Sequence, residues 1–387
     1  MNKSVVKVPF VDLAFQHQPI QSEITQAVSS LIDRGDFILG QALTEFETAF
    51  ANACDVAYGV GVASGTSAIA LGLQACGIKA GDEVLVPANT FIASVIGIIQ
   101  AGATPILVDC ELDTALIDLD AAAKLVTPQT KAILPVHLYG QLVAPQKLLD
   151  FARVHNLIIF EDSAQAHLAF QDGYRAGSIG MAAAFSFYPS KNLGALGNGG
   201  MVVTNDENVA RRIRSLRNYG APKKYFHTEL GTNSRLDTLQ AAILQLKLPY
   251  LAQWNQMRNQ VGATYDCYFA ELDCDLIEPI ENFSAKGHVY HLYVIRLKDS
   301  LTDKRAQIQT DLAEKGIQTG IHYPIPCHLQ PAFQYLGYQR GDFPHAETLA
   351  SQILSLPIFP GISQTQVELV CQQLCQTLGL AKHHSCL

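Results

Sequence analysis

Lys191 and Asp162 are the side chains in this sequence whose types and surroundings point most directly to chemistry. Lys191 stands in FSFYPSKNLGALGNGG (185–200), 29 residues after Asp162 in FEDSAQAH (160–167). A lysine among small, glycine-rich neighbours, with no carboxylate close to it in sequence, can form an imine with an aldehyde cofactor. An aspartate that ends an apolar strand can hold that cofactor's ring nitrogen protonated. At about 4 Å and an effective dielectric of 20 such an ion pair is worth roughly 4 kcal/mol, or about three pKa units. A ring kept protonated near neutral pH is a strong electron sink, so the pair suggests pyridoxal 5'-phosphate, with Lys191 free to carry a proton as general base and acid.

Companion residues fall at useful spacings. The turn ASGTSA (63–68) places Gly65 and Thr66 between a strand and a helix. Helix N-terminal N–H groups favour a phosphate by about 0.3–1 kcal/mol from the dipole, although Ser and Thr there serve equally well as ordinary caps. Ser186, five residues before Lys191, offers a further hydroxyl to the same phosphate. Phe91 ends VPANTF (86–91) and either stacks on a flat ring or packs into the core. Gln165, one turn past Asp162, either reaches a phenolic oxygen or is a surface amide.

These residues need elements to hold them. From about 57 to 204, apolar strand-like runs alternate with helical ones, among them YGVGVAS, EVLVPA, TPILVDC, KAILPVHLYG, LIIFED, AAAFSFY and MVVTND. That order predicts an α/β fold with a mostly parallel central sheet covered on both faces, whose ligands sit at the strands' carboxyl ends. The run 234–272 reads as a long helix broken at Pro249. From about 275 the alternating HVYHLYVIRL (288–297), a helix over 303–316, the segment QTGIHYPIP (318–326) as a second strand and a last helix over 364–379 predict a smaller α+β unit. The expected division is 1–250 and 251–387.

Composition narrows the classes. The chain of 387 residues is 48% apolar with a net charge of −8, which argues against nucleic acid as the main partner. Its nine cysteines include no CxxC pair; Cys371 and Cys375 read as packed thiols and no metal site is expected. The N-terminal MNKSVVKVPFVDLAFQHQ lacks a signal-peptide core, and 93–108 is too interrupted to cross a bilayer, so a cytoplasmic protein without a membrane partner is expected.

The ordered motifs GDFILGQALTEFE (35–47), GVASGTSA, VPANTFIA, PVHLYGQ, EDSAQAH, FSFYPSKNLGALGNGG, IRSLRNYG, NSRLDTLQAAIL (233–244) and GIHYPIPCHLQPAF (320–333) resemble those of the DegT/StrS-type sugar aminotransferases, which have the fold type I architecture and use pyridoxal phosphate. The resemblance covers nearly the whole chain. It implies that Lys191 carries the cofactor covalently, that Asp162 faces the pyridine nitrogen and Gln165 the 3-hydroxyl, and that Phe91 stacks on the ring. It also implies Gly65, Thr66 and Ser186 as phosphate ligands, with Asn233 supplied by the other subunit of a homodimer with shared sites. Tyr219, His322 and Tyr323 match segments bordering the sugar or nucleotide, and Lys223, Lys224 and Arg34 are candidates for the diphosphate. Leu168 stands where the family often has glycine, and Asn198 where aspartate is frequent.

The expected reaction moves the amino group of glutamate to a nucleotide-linked keto-6-deoxyhexose, with the dTDP-linked 3-keto sugar favoured and GDP- or UDP-linked 4-keto sugars open. Related dehydratases carry histidine in place of the lysine, and residue 191 decides against them. A sugar-nucleotide-binding regulatory protein without turnover is the alternative from another class.

Overall fold

The computed structural model describes residues 6–272 and 275–380. Its first part is built on strands β1 (Tyr58–Val62), β2 (Glu83–Pro87), β3 (Thr104–Val108), β4 (Thr130–Ile133) and β5 (Ile158–Asp162). A short hairpin of β6 (Phe170–Gln171) and β7 (Tyr174–Arg175) follows, then β8 (Ala182–Ser186) and β9 (Gly200–Thr204). Seven of these form one sheet in the order β1-β9-β8-β5-β4-β2-β3. β8, β5, β4, β2 and β3 run parallel, whereas β9 is antiparallel to both β8 and β1. All strands except β9 therefore deliver their carboxyl ends to one edge.

The strand residues Val60, Val62, Leu85, Val86, Ile133, Phe160 and Val203 are fully buried, because helices cover both faces of a parallel sheet. The helix Gly65–Ala75 is apolar on most sides and is packed on most sides. It begins where Ser64, in extended conformation, accepts a 3.1 Å hydrogen bond from the Ser67 N–H. It lies close on the sheet because Gly72 has no side chain: a Cβ there would stand 2.4 Å from the Phe160 ring. The helix Ile92–Gln100 packs beside it.

The later part has its own antiparallel sheet of β10 (Ile277–Pro279), β11 (Tyr293–Leu297) and β12 (Ile353–Leu356). A second core forms where this sheet meets the helices Leu251–Ala270, Arg305–Glu314 and Gln364–Thr377, around Tyr265, Ile295, Leu312 and Val370, with Cys371 and Cys375 buried in it. Val8 joins this core and bridges to Ile317, so the start of the described chain is tied to the later part. Among the described residues no helix is long and apolar enough to cross a membrane.

One expectation is corrected. QTGIHYPIP is not a strand: it makes a single bridge, Gly320 to Ser355, and the third strand of the small sheet is the fully buried ILSL of β12. Pro324 and Pro326 have no N–H to give a ladder, and His322 and Tyr323 turn toward the large sheet's edge. Similarly, HVYHLYVIRL is strand only from Tyr293; Tyr290 has φ 41°, which breaks the alternation.

Candidate active site

The carboxyl edge of the large sheet opens into a cavity of about 500 Å³. Gly65 and Thr66 follow β1, Thr90 and Phe91 follow β2, Asp162 ends β5 and Ser186 ends β8. Lys191 enters from the loop between β8 and β9, while His291, His322 and Tyr323 come from the later part. Residues far apart in sequence meet here because every strand but β9 points the same way.

Asp162 is buried, and its carboxylate is well supplied with donors. Ser94 Oγ donates to Oδ2 at 2.7 Å and the Ala164 N–H donates to Oδ1 at 3.1 Å. Thr90 and Ser94 hydroxyls are 2.8 Å apart; since Ser94 gives its one proton to Asp162, Thr90 donates to Ser94. Burial pushes the Asp162 pKa up, while the Ser94 and Ala164 hydrogen bonds and the charges of Lys191 and His137 hold it down.

The amine of Lys191 makes no hydrogen bond among the described residues. Desolvation lowers its pKa to about 8, against a smaller opposing effect of Asp162. At pH 7.5 roughly a quarter of such amines are unprotonated, far more than for a free lysine. A neutral amine is a nucleophile and a proton acceptor.

Gln165 is held at both ends of its amide: Oε1 accepts from the Tyr139 N–H at 2.7 Å and Nε2 donates to the Tyr323 hydroxyl at 3.1 Å. Tyr139 in turn donates to the His322 carbonyl at 2.7 Å. Phe91 is exposed on the cavity wall, with its ring centroid 5.3 Å from that of Tyr323. It is therefore not core packing. His322 Nδ1 lies 2.9 Å from Ser355 Oγ, its ring stacked on Phe10 at 5.5 Å, and burial lowers its pKa to about 4.

The glycine turn presses on β8. A Cβ on Gly65 would meet Ser186 Cβ at 2.7 Å, and one on Gly200 would meet the Ser64 carbonyl oxygen at 2.3 Å. The helix N-terminus and the Ser186 side chain thus share one concave corner. Behind it, His167 Nε2 donates to the Ser186 carbonyl at 2.9 Å, and burial takes its pKa down to about 3. Lys247, fully buried, donates to the Gly194 carbonyl in the Lys191 loop and lies 3.1 Å from His17 Nε2.

Of the residues expected from sequence, Gly65, Thr66, Phe91, Asp162, Gln165, Ser186, Lys191, His322 and Tyr323 line this cavity. Asn233 does not. It is exposed and lines a neighbouring hollow with Ile38, Arg235 and Gln240, joined to the cavity through Asn198, which borders both. Tyr219 is exposed, in left-handed conformation, with the Arg235 guanidinium 5.5 Å from its ring. Lys223 and Lys224 are exposed on the same loop, and Arg34 pairs with Asp36 at 3.2 Å. Sequence reasoning missed Thr90, Ser94, Tyr139 and His291. Ser94 had a signal, a lone hydroxyl on the buried side of the apolar helix IASVIGIIQ.

Fold and site together are those of an α/β aminotransferase. The model of the DegT/DnrJ/EryC1/StrS aminotransferase family matches residues 18–375, and the chain belongs to that family. The dTDP-3-amino-3,6-dideoxy-alpha-D-galactopyranose transaminase of Aneurinibacillus thermoaerophilus is 45% identical over 365 residues, 94% of this chain and 98% of that one. A protein of Geobacillus stearothermophilus named "Pleiotropic regulatory protein" is 40% identical over 371 residues, 96% and 98% of the two chains. Among solved structures, S. venezuelae DesV in complex with a ketimine intermediate superposes with a TM-score of 0.92 at 40% identity, covering 98% of this chain and 100% of that chain.

Proposed function

We propose that the protein transfers the amino group of glutamate to a nucleotide-linked keto-6-deoxyhexose, the dTDP-linked 3-keto sugar first, using pyridoxal 5'-phosphate. The observation that carries this reading is the meeting of an amine with a lowered pKa, a buried carboxylate and a helix N-terminal turn beside Ser186 in one cavity. The Aneurinibacillus relative, a dTDP-amino-sugar transaminase by name, supports the substrate class.

The residues fit the cofactor. The Gly65–Thr66 turn and Ser186 would hold its phosphate, the Asp162 carboxylate its ring nitrogen, Gln165 its phenolic oxygen and Phe91 one face of its ring. The donors from Ser94 and Ala164 oppose the upward push of burial on the Asp162 pKa and so favour the anion that a protonated ring needs as its partner. When bound, the group supplies an aldehyde to carry nitrogen and a ring to accept electrons. Lys191 Nζ, once free, takes and returns the proton at the carbon bearing nitrogen. Gln165, tied to Tyr139 and Tyr323, orients the site.

We further propose a cytoplasmic homodimer in which Asn233 reaches the partner's phosphate corner, with Tyr219, Lys223, Lys224 and Arg34 meeting the sugar nucleotide from the rim. Its units divide at 250/251. The name of the Geobacillus relative keeps a second reading in view, a sugar-nucleotide-binding regulator. An absorption band near the visible edge, formed with pyridoxal phosphate and bleached by glutamate, distinguishes the two: the enzyme shows it, and a binding protein without turnover does not bleach.

A further inference from the structure

His291 lines the same cavity as Lys191. Its setting fixes which of its ring nitrogens carries the proton. Asn192, next to Lys191 in the chain, donates through Nδ2 to the Val289 carbonyl at 2.9 Å and to Asn255 Oδ1 at 2.9 Å. Asn255 Nδ2 in turn donates to the His167 carbonyl at 2.9 Å. Carbonyl oxygens only accept, so both amides are locked in orientation at their nitrogen ends. Asn192 Oδ1 must then face His291, whose Nδ1 lies 3.2 Å away and donates to it.

The ring is neutral, because burial and the nearby charges of Lys191 and Arg258 take its pKa well below the ordinary value. A neutral imidazole with its proton on Nδ1 leaves a lone pair on Nε2. Among the described residues Nε2 has no hydrogen-bond partner, and it is not among the sealed, unpartnered polar atoms. The backbone is fixed as well: Arg258 donates to the Tyr290 carbonyl at 3.1 Å and the Ile358 carbonyl at 3.0 Å. The site thus holds an oriented acceptor toward a cavity whose other polar groups mostly suit an anion or a charged ring.

We propose that His291 Nε2 accepts a hydrogen bond from a hydroxyl of the hexose during the second half of the reaction, making it a specificity-determining residue for the sugar. This rests on the aminotransferase reading of the cavity. A sugar lacking the hydroxyl leaves the acceptor unpaired, whereas glutamate is handled without it.

Two substitutions separate recognition from structural support. The amide nitrogen of asparagine falls near Nδ1, so His291→Asn keeps the bond to Asn192 and removes the cavity acceptor. Glutamine reaches the Nε2 position, so His291→Gln keeps an acceptor in the cavity and loses the bond to Asn192. With holoenzyme, the two half-reactions are followed separately, glutamate by bleaching of the cofactor band and the dTDP-3-keto-6-deoxyhexose by its recovery. Expected is a rise of about 10-fold in KM for the sugar in His291→Asn with the glutamate half-reaction unchanged, and a KM within about 3-fold of wild type in His291→Gln. Wild-type KM in His291→Asn, an equal loss in both half-reactions, or loss confined to glutamate would each overturn the assignment. If the wild-type protein itself fails to aminate the sugar, the failure belongs to the proposed function instead.

Discussion

The hydroxyl of Ser94 donates to the carboxylate of Asp162 at 2.7 Å, across two elements separated by 68 residues in sequence. With Thr90 behind it, this forms a buried relay that favours the charged form of Asp162 against the upward push of burial on its pKa. A hydrogen bond to a charged group is worth about 1.5–3 kcal/mol. Ser94→Ala is therefore expected to weaken pyridoxal phosphate binding at least 10-fold, measured by absorbance titration, with the far-UV spectrum unchanged. An unaltered affinity would show that Asp162 needs no help from the helix.

The pH response of Lys191 has a definite sign. Its folded pKa lies below that of free lysine, so the reactive neutral amine is gained as pH rises through about 8. Acylation of Lys191 in cofactor-free protein, followed by mass spectrometry, should be half-maximal near that pH. Lys247 is pushed to about 8 as well but is fully buried, and it should stay unmodified while the protein is folded. A midpoint near 10 for Lys191 would contradict the site's electrostatics.

Gly65 tests the phosphate corner. In Gly65→Ala the new Cβ meets Ser186 Cβ at 2.7 Å, forcing β8 and the turn apart. Overpacking of this kind costs about 1–3 kcal/mol. Cofactor affinity should fall, and pyridoxal, which lacks the phosphate, should lose less than pyridoxal phosphate. Equal losses for the two ligands would place the phosphate elsewhere.

Asn233 stands in a hollow beside the cavity rather than in it. If that hollow receives a second copy, Asn233→Ala weakens cofactor retention, and mixing it with Lys191→Ala changes activity through hybrid dimers. No change in retention and no change on mixing would leave each site complete within one chain.

Much of this site could be read in the sequence because its parts lie in short local patterns. Lys191 sits in a glycine-rich loop, Asp162 ends an apolar strand, and Gly65 falls at a strand-to-helix turn. What could not be read depends on packing between distant segments. Ser94 gains its meaning only when its helix lies over the end of β5, and His291 only when Asn192 and Val289 fix its ring. The small sheet depends on distant packing in the same way. Its third strand, β12, follows a helix directly, and its pairing with β11 is invisible locally, whereas QTGIHYPIP had a strand-like pattern but lacks proline N–H donors.

The central claim is that the cavity around Lys191 passes nitrogen from glutamate to a nucleotide-linked keto sugar. Holoenzyme incubated with 15N-glutamate and dTDP-3-keto-6-deoxyhexose should yield a sugar nucleotide carrying 15N, detected by mass spectrometry, and Lys191→Ala should yield none. Absence of label from the sugar nucleotide with the wild-type protein, or its presence with Lys191→Ala, would contradict the account.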